Sequence, residues 1–72
     1  MLAMHIGNGR GPIRFEGSVV AYLASVARTD DRVVRVEIYA VSGEFVGRYD
    51  RRVYTVSHAA NGCETIVDFV QV

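Results

Sequence analysis

"RVVRVEIYAVSGEFVGRYDRR", Arg32 to Arg52, is the stretch whose reading decides the fold. Val34, Val36, Ile38 and Ala40 alternate with Val33, Arg35, Glu37, Tyr39 and Val41, a period of two that predicts a strand. Ser42-Gly43 supplies a tight turn, since glycine accepts the positive φ of hairpin turns. Charge then selects the register. With Val41 facing Glu44, the returning strand sets Glu37 opposite Arg48 and Arg35 opposite Asp50. With Ser42 facing Phe45 instead, Glu37 meets Asp50 and Arg35 meets Arg52. Unlike charges across a strand pair attract and like charges repel, so the first register is expected, with Glu37/Arg48 and Arg35/Asp50 as structural ion pairs. One face then carries Val34, Val36, Ile38, Ala40, Phe45 and Tyr49 as the core. The other carries the ion pairs with Val33, Tyr39 and Val46.

Downstream the alternation changes. Tyr54 and Val56 share the parity of Arg48 and Asp50, which predicts a bend or bulge within "YDRR", Tyr49 to Arg52. Asn61-Gly62 is the strongest turn signal in the chain and would close a last hairpin with Val56 facing Val67 and Tyr54 facing Phe69. "TIVDFVQV", Thr65 to Val72, is then the final strand, with an edge that must be paired or covered.

"SVVAYLASVAR", Ser18 to Arg28, admits two readings. Val19, Tyr22, Leu23 and Val26 lie on one helical stripe that Ser18 would cap. The same valines and tyrosine suit a strand, with "TDD", Thr29 to Asp31, as a hairpin turn. The order Phe15-x-Gly17, Ala21, Ser25, Tyr39, Gly43, Tyr54 and His58 resembles small β-rich proteins of actinobacterial genomes and their mobile elements. That resemblance spans residues 14–58 and implies a strand at Ser18 to Arg28. It also implies an inhibitor or accessory of a larger complex, such as an anti-defence protein. The expected fold is therefore mainly β, an antiparallel meander of four to five strands, bent or partly closed into a small barrel. The alternative is α+β, with one helix at about 18–28 packed on a three- to four-stranded antiparallel sheet.

Seventy-two residues form one domain, residues 1–72. A chain of this length buries only about 60% of its unfolded surface, so small domains lean on disulfides, metals or self-association. Cys63 is the only cysteine, which excludes an internal disulfide. Half of the residues are hydrophobic, and on so small a body this favours self-association. Eight arginines balance eight carboxylates, leaving no excess positive charge to drive non-specific binding to nucleic acid or acidic membranes. The longest apolar run, Val19 to Ala24, is far short of the ~20 residues that span a bilayer. A lone cysteine and no export-like start lead to the expectation of a cytoplasmic protein without membrane contact.

Few residues suggest chemistry. "GNGRG", Gly7 to Gly11, has the glycines of a phosphate loop but lacks the following Lys-Ser/Thr pair. It runs into Pro12 instead of a helix, so a flexible hinge is expected, with Arg10 as its only candidate anion contact. His5, His58 and Cys63 do not have the spacing of a zinc site, and no metal or cofactor is expected. Ser57 and His58 are strand neighbours pointing to opposite faces, which prevents a hydrolase-like pair. Cys63 has Glu64 beside it and no activating cation, consistent with a loop or half-buried structural thiol. Asp30-Asp31 reads as a turn. No catalytic residues are assigned. The stretch "RYDRRVY", Arg48 to Tyr54, interleaves arginines with tyrosines, and Arg48, Tyr49, Arg51, Arg52 and Tyr54 are the candidate partner-binding residues. The expected function is non-enzymatic: a small interaction protein, self-associating as a homodimer and binding a protein partner. The alternative is a small barrel that binds single-stranded nucleic acid through the same Arg/Tyr strand.

Overall fold

In the computed structural model, which describes all residues from Met1 to Val72, the chain runs β1 (Leu2–Ile6), β2 (Ile13–Arg14), α1 (Val19–Thr29), β3 (Arg35–Tyr39), β4 (Phe45–His58) and β5 (Gly62–Gln71). Its strands form one antiparallel sheet in the order β2–β1–β3–β4–β5, curled into a half-barrel. The fold is mainly β, and its one helix resolves the ambiguity at Ser18 to Arg28. Ser18 caps α1 by accepting a hydrogen bond from the Ala21 N–H at 3.0 Å, and the helical stripe points at the sheet. A strand there would have left the sheet's apolar face in water.

The core lies between α1 and that face. Ala3 stands opposite Ile38 and His5 opposite Val36, and these side chains meet Leu23 and Val26 of the helix, with Phe15 and Val33 closing the cluster. Val33, Val36 and Ile38 are completely buried. The expected core placed Val34 inside and Val33 outside, and here the structure differs. Val34 donates its N–H to Ile6 O, although Ile6 already stands opposite Arg35. Two residues thus face one, the alternation resets, and Val33 turns inward while Val34 is exposed.

The β3–β4 register sets Arg35 opposite Asp50 and Glu37 opposite Arg48. Nearer the turn it shifts by one, because Tyr39 faces Phe45 and Val46 is left over as a bulge. The loop is accordingly Val41-Ser42-Gly43 in place of the expected two residues. Gly43 at φ +94° donates to Ala40 O, and Ala40 donates to Glu44 O. The extra residue flips everything before it, so Phe45 leaves the expected core. It lies half-exposed on the outer face, edge-on to Tyr39 at 5.5 Å. No bulge interrupts "YDRR" against β5: β4 pairs with β5 residue for residue from Tyr49 to His58.

The β4–β5 register also differs from expectation. Three residues, Ala59–Asn61, separate the paired His58 and Gly62, so Val56 faces Glu64 and Tyr54 faces Ile66. Val67 and Phe69 consequently lie on the helix side, opposite Val53 and Arg51. The last β4 link to β3 is the Arg51 N–H to Val34 O bond. Beyond it the two strands continue alone as an arm, in which every residue from Val53 to Thr65 except Val56 is exposed. This arm gives the molecule its elongated extents of 49 × 22 × 20 Å. No helix is long and apolar enough to cross a membrane.

Candidate interaction surface

"RYDRRVY" does not form one surface. Strand alternation puts Arg48, Arg52 and Tyr54 on the outer face, and Tyr49 and Arg51 on the helix face. Arg51 is an internal clamp. Its Nε donates to Val33 O and one terminal nitrogen to Asp30 O, while the guanidinium lies 5.1 Å from the Phe69 ring centre. Arg52 makes a two-pronged bond to Asp68, at 3.0 and 2.7 Å, and covers the Tyr54 ring at 4.6 Å. Tyr49 packs against the core. Of the three arginines, only Arg48 makes no side-chain contact of this kind, and its expected ion pair with Glu37 is not formed. Those residues are register partners, but Glu37 instead accepts a long 3.5 Å bond from the Tyr39 hydroxyl. Arg35 and Asp50 do pair, at 2.6 Å, and the guanidinium holds the Asp50 carboxyl below its ordinary range. Arg52 acts likewise on Asp68.

A buried polar cluster escaped sequence reasoning because its members are far apart in the chain. His5 is only 8% exposed. Its Nε2 is 2.6 Å from the Tyr22 hydroxyl, and its Nδ1 is 3.3 Å from the Asn8 side-chain amide. The same amide nitrogen donates to Asp30 at 2.8 Å, and the Asn8 carbonyl oxygen accepts from the Arg10 N–H. An amide donor at Nδ1 requires that atom to be an acceptor, which leaves the proton of a neutral ring on Nε2, facing Tyr22. Burial, then the nearby Arg10 charge, depresses the His5 pKa, in accord with that neutral form. Burial raises that of Tyr22. Hydrogen bonds from Arg32 and Asn8 hold Asp30 well below the ordinary carboxylate range. The polar groups of this cluster are committed to one another. None of the three surface depressions is lined by His5, Asn8, Tyr22 or Asp30. Its work is to anchor the "GNGRG" turn to α1.

That turn is packed, not a flexible hinge. It joins β1 to β2, with His5 N–H donating to Arg10 O at 2.8 Å, and Gly7 lies directly against the Arg32 carbonyl. The other candidates are dispersed. His58 bonds Glu64 at 2.8 Å near the tip of the arm, and Cys63 is exposed, with its sulfur 3.9 Å from the Ser57 hydroxyl. His5 is in the body, and no three His, Cys, Asp or Glu side chains converge.

What remains is a surface on the helix side, at the β5 edge of the sheet. A groove of about 540 Å³ runs between α1 and β5, lined mainly by Val19, Val20, Leu23, Ala24, Val67 and Phe69. Val20 is 79% exposed there. Beside it, β5 forms the sheet's edge. Val72 donates its N–H to Arg48 O, and antiparallel alternation fixes the rest: Val70, Asp68, Ile66 and Glu64 aim their N–H and C=O groups at β4. Those of Gln71, Phe69, Val67, Thr65 and Cys63 aim away from the sheet. A row of open donors and acceptors thus adjoins an apolar trough. Comparison of the chain with protein-family models, with curated proteins and with solved structures found no match.

Proposed function

We propose that this chain is a protein-interaction module that works by strand addition. An extended segment of a partner pairs with the free edge of β5, and its apolar side chains enter the groove beneath α1. The observation that carries this reading is the coincidence of the two features: the residues that offer open backbone groups, Val67 and Phe69, also floor the groove. Main-chain bonds supply affinity in this mode of recognition, and side-chain pockets supply specificity. The competing reading, single-stranded nucleic acid on the Arg/Tyr strand, is weakened by the internal engagement of Arg51 and Arg52. It would also require affinity that falls steeply with salt.

Val67→Pro provides the test. Proline at 67 removes an outward-facing N–H and no bond to β4, a position where edge strands tolerate it. The immobilised full chain and this variant, matched by circular dichroism, are exposed to the same host extract. Strand addition predicts a protein retained by the native chain and lost from Val67→Pro. Identical retention by both overturns it.

A further inference from the structure

We infer that the strand received on β5 is β5 of a second copy of this chain, an inference that rests on the strand-addition reading above. The two copies pair antiparallel about a two-fold axis at Val67. Charge selects that register. An axis at Ile66 sets Glu64 against the partner's Asp68, and an axis at Asp68 sets that carboxylate against its own copy; like charges directly opposite are destabilising. About Val67 neither clash occurs. Glu64 faces the partner's Val70, Ile66 the partner's Asp68, and Thr65 the partner's Phe69.

The shape of the molecule gives this pairing a purpose. An isolated two-stranded hairpin is marginal in water at best, yet the arm from Val53 to Thr65 extends with no neighbour on either edge. In the pair, each arm lies along the body of the other copy, since Cys63 near the tip comes opposite the partner's Gln71 at the body end of β5. Thr65 and Val67 then enter the partner's groove beside Val20 and Ala24 of its helix. Five strands become ten in one continuous sheet, and the long edge of each copy is closed by the other.

The inference is tested on the full chain by sedimentation and by cross-linking in a Cys63→Ser background. The expected mass is twice the 7.9 kDa of one chain. Val67→Cys is expected to oxidise to a covalent dimer, because the residue stands opposite its own copy with Cα atoms about 5.5 Å apart, within disulfide reach. Glu64→Cys and Val70→Cys, each alone, should stay uncross-linked, and their mixture should link. Val67→Pro, if folded by circular dichroism, should sediment as a monomer. A native chain that is monomeric at all concentrations, or a dimer that persists in Val67→Pro, overturns self-pairing. If the chain is monomeric but Val67→Pro still abolishes capture of another protein, strand addition stands and its occupant is a foreign segment. If capture also survives the proline, both readings fall.

Discussion

Replacing Arg51 with alanine removes a guanidinium that joins three parts of the fold. It bonds the carbonyls of Asp30 and Val33 at the α1–β3 connection and covers Phe69 on β5. Hydrogen bonds to a charged group are worth about 1.5–3 kcal/mol when buried. Arg51 is half-buried, so about 1 kcal/mol for each bond is appropriate, with about 0.5 kcal/mol for the cation–ring contact. The expected loss is about 2–3 kcal/mol, a large part of the roughly 4–11 kcal/mol typical of a chain this long. Arg51→Lys, which can reach one carbonyl but not both in the same geometry, should lose about half as much. Urea unfolding followed by circular dichroism measures both, and a thermal scan should show the alanine variant melting on the order of 10–20 °C lower. A loss below about 0.5 kcal/mol, the range of an ordinary surface substitution, would show that Arg51 is not a structural clamp. It would return this residue to the pool of partner-binding candidates.

Four further outcomes are expected. Gly7→Ala should prevent stable folding or cost several kcal/mol, since its Cβ would stand 2.0 Å from Arg32 O at a φ of +121°. Gly9→Ala meets nothing within 4 Å and should cost only about 1 kcal/mol for its left-handed φ, so comparable thermal melts of the two variants would refute the packed-turn description. Tyr22→Phe strands the buried His5 Nε2–H and should destabilise by about 1–3 kcal/mol in urea titration. The pH profile should fall in two stages. His5 has a folded pKa below its unfolded value near 6.5, so its contribution is complete above that pH and declines as pH drops toward the folded pKa. Asp30, Asp50 and Asp68, all depressed, withdraw theirs only below about 3.8, as pH falls toward their folded values. Melting temperature against pH reads both stages, and His5→Gln should flatten the upper one. Ser18→Ala should lower stability by about 1 kcal/mol through loss of the α1 cap, visible in the same urea titration.

The central hairpin was legible from residues 32–52 because opposed charges and a buried face both constrain it, and each rejects a slip of one residue. What the alternation concealed were its two interruptions. The bulge at Val46 and the doubled residues at Val34 and Arg35 are invisible to a period-two pattern, and they moved Phe45 out of the core and Val33 into it. The last hairpin was misregistered for a different reason. Its arm has no buried face, so hydrophobic alternation says little there. The pairing is instead decided at the other end, where Val67 and Phe69 lie beneath α1 and Arg52 meets Asp68. Of the candidate site residues, Arg48, Tyr49, Arg51, Arg52 and Tyr54 were contiguous in sequence but divided by the strand between two faces. The exposed groove and the open edge required contacts between α1 and β5, more than thirty positions apart.

Sequence alone determined what short-range physics can determine: the strand period and the charge-selected partnership of Arg35 with Asp50. Tertiary structure decided the helix, because valines and tyrosine are compatible with both states until a sheet face demands a cover. It also decided which arginines are internal and which strand is left at the edge, since both depend on the sheet order β2–β1–β3–β4–β5 and not on any local pattern.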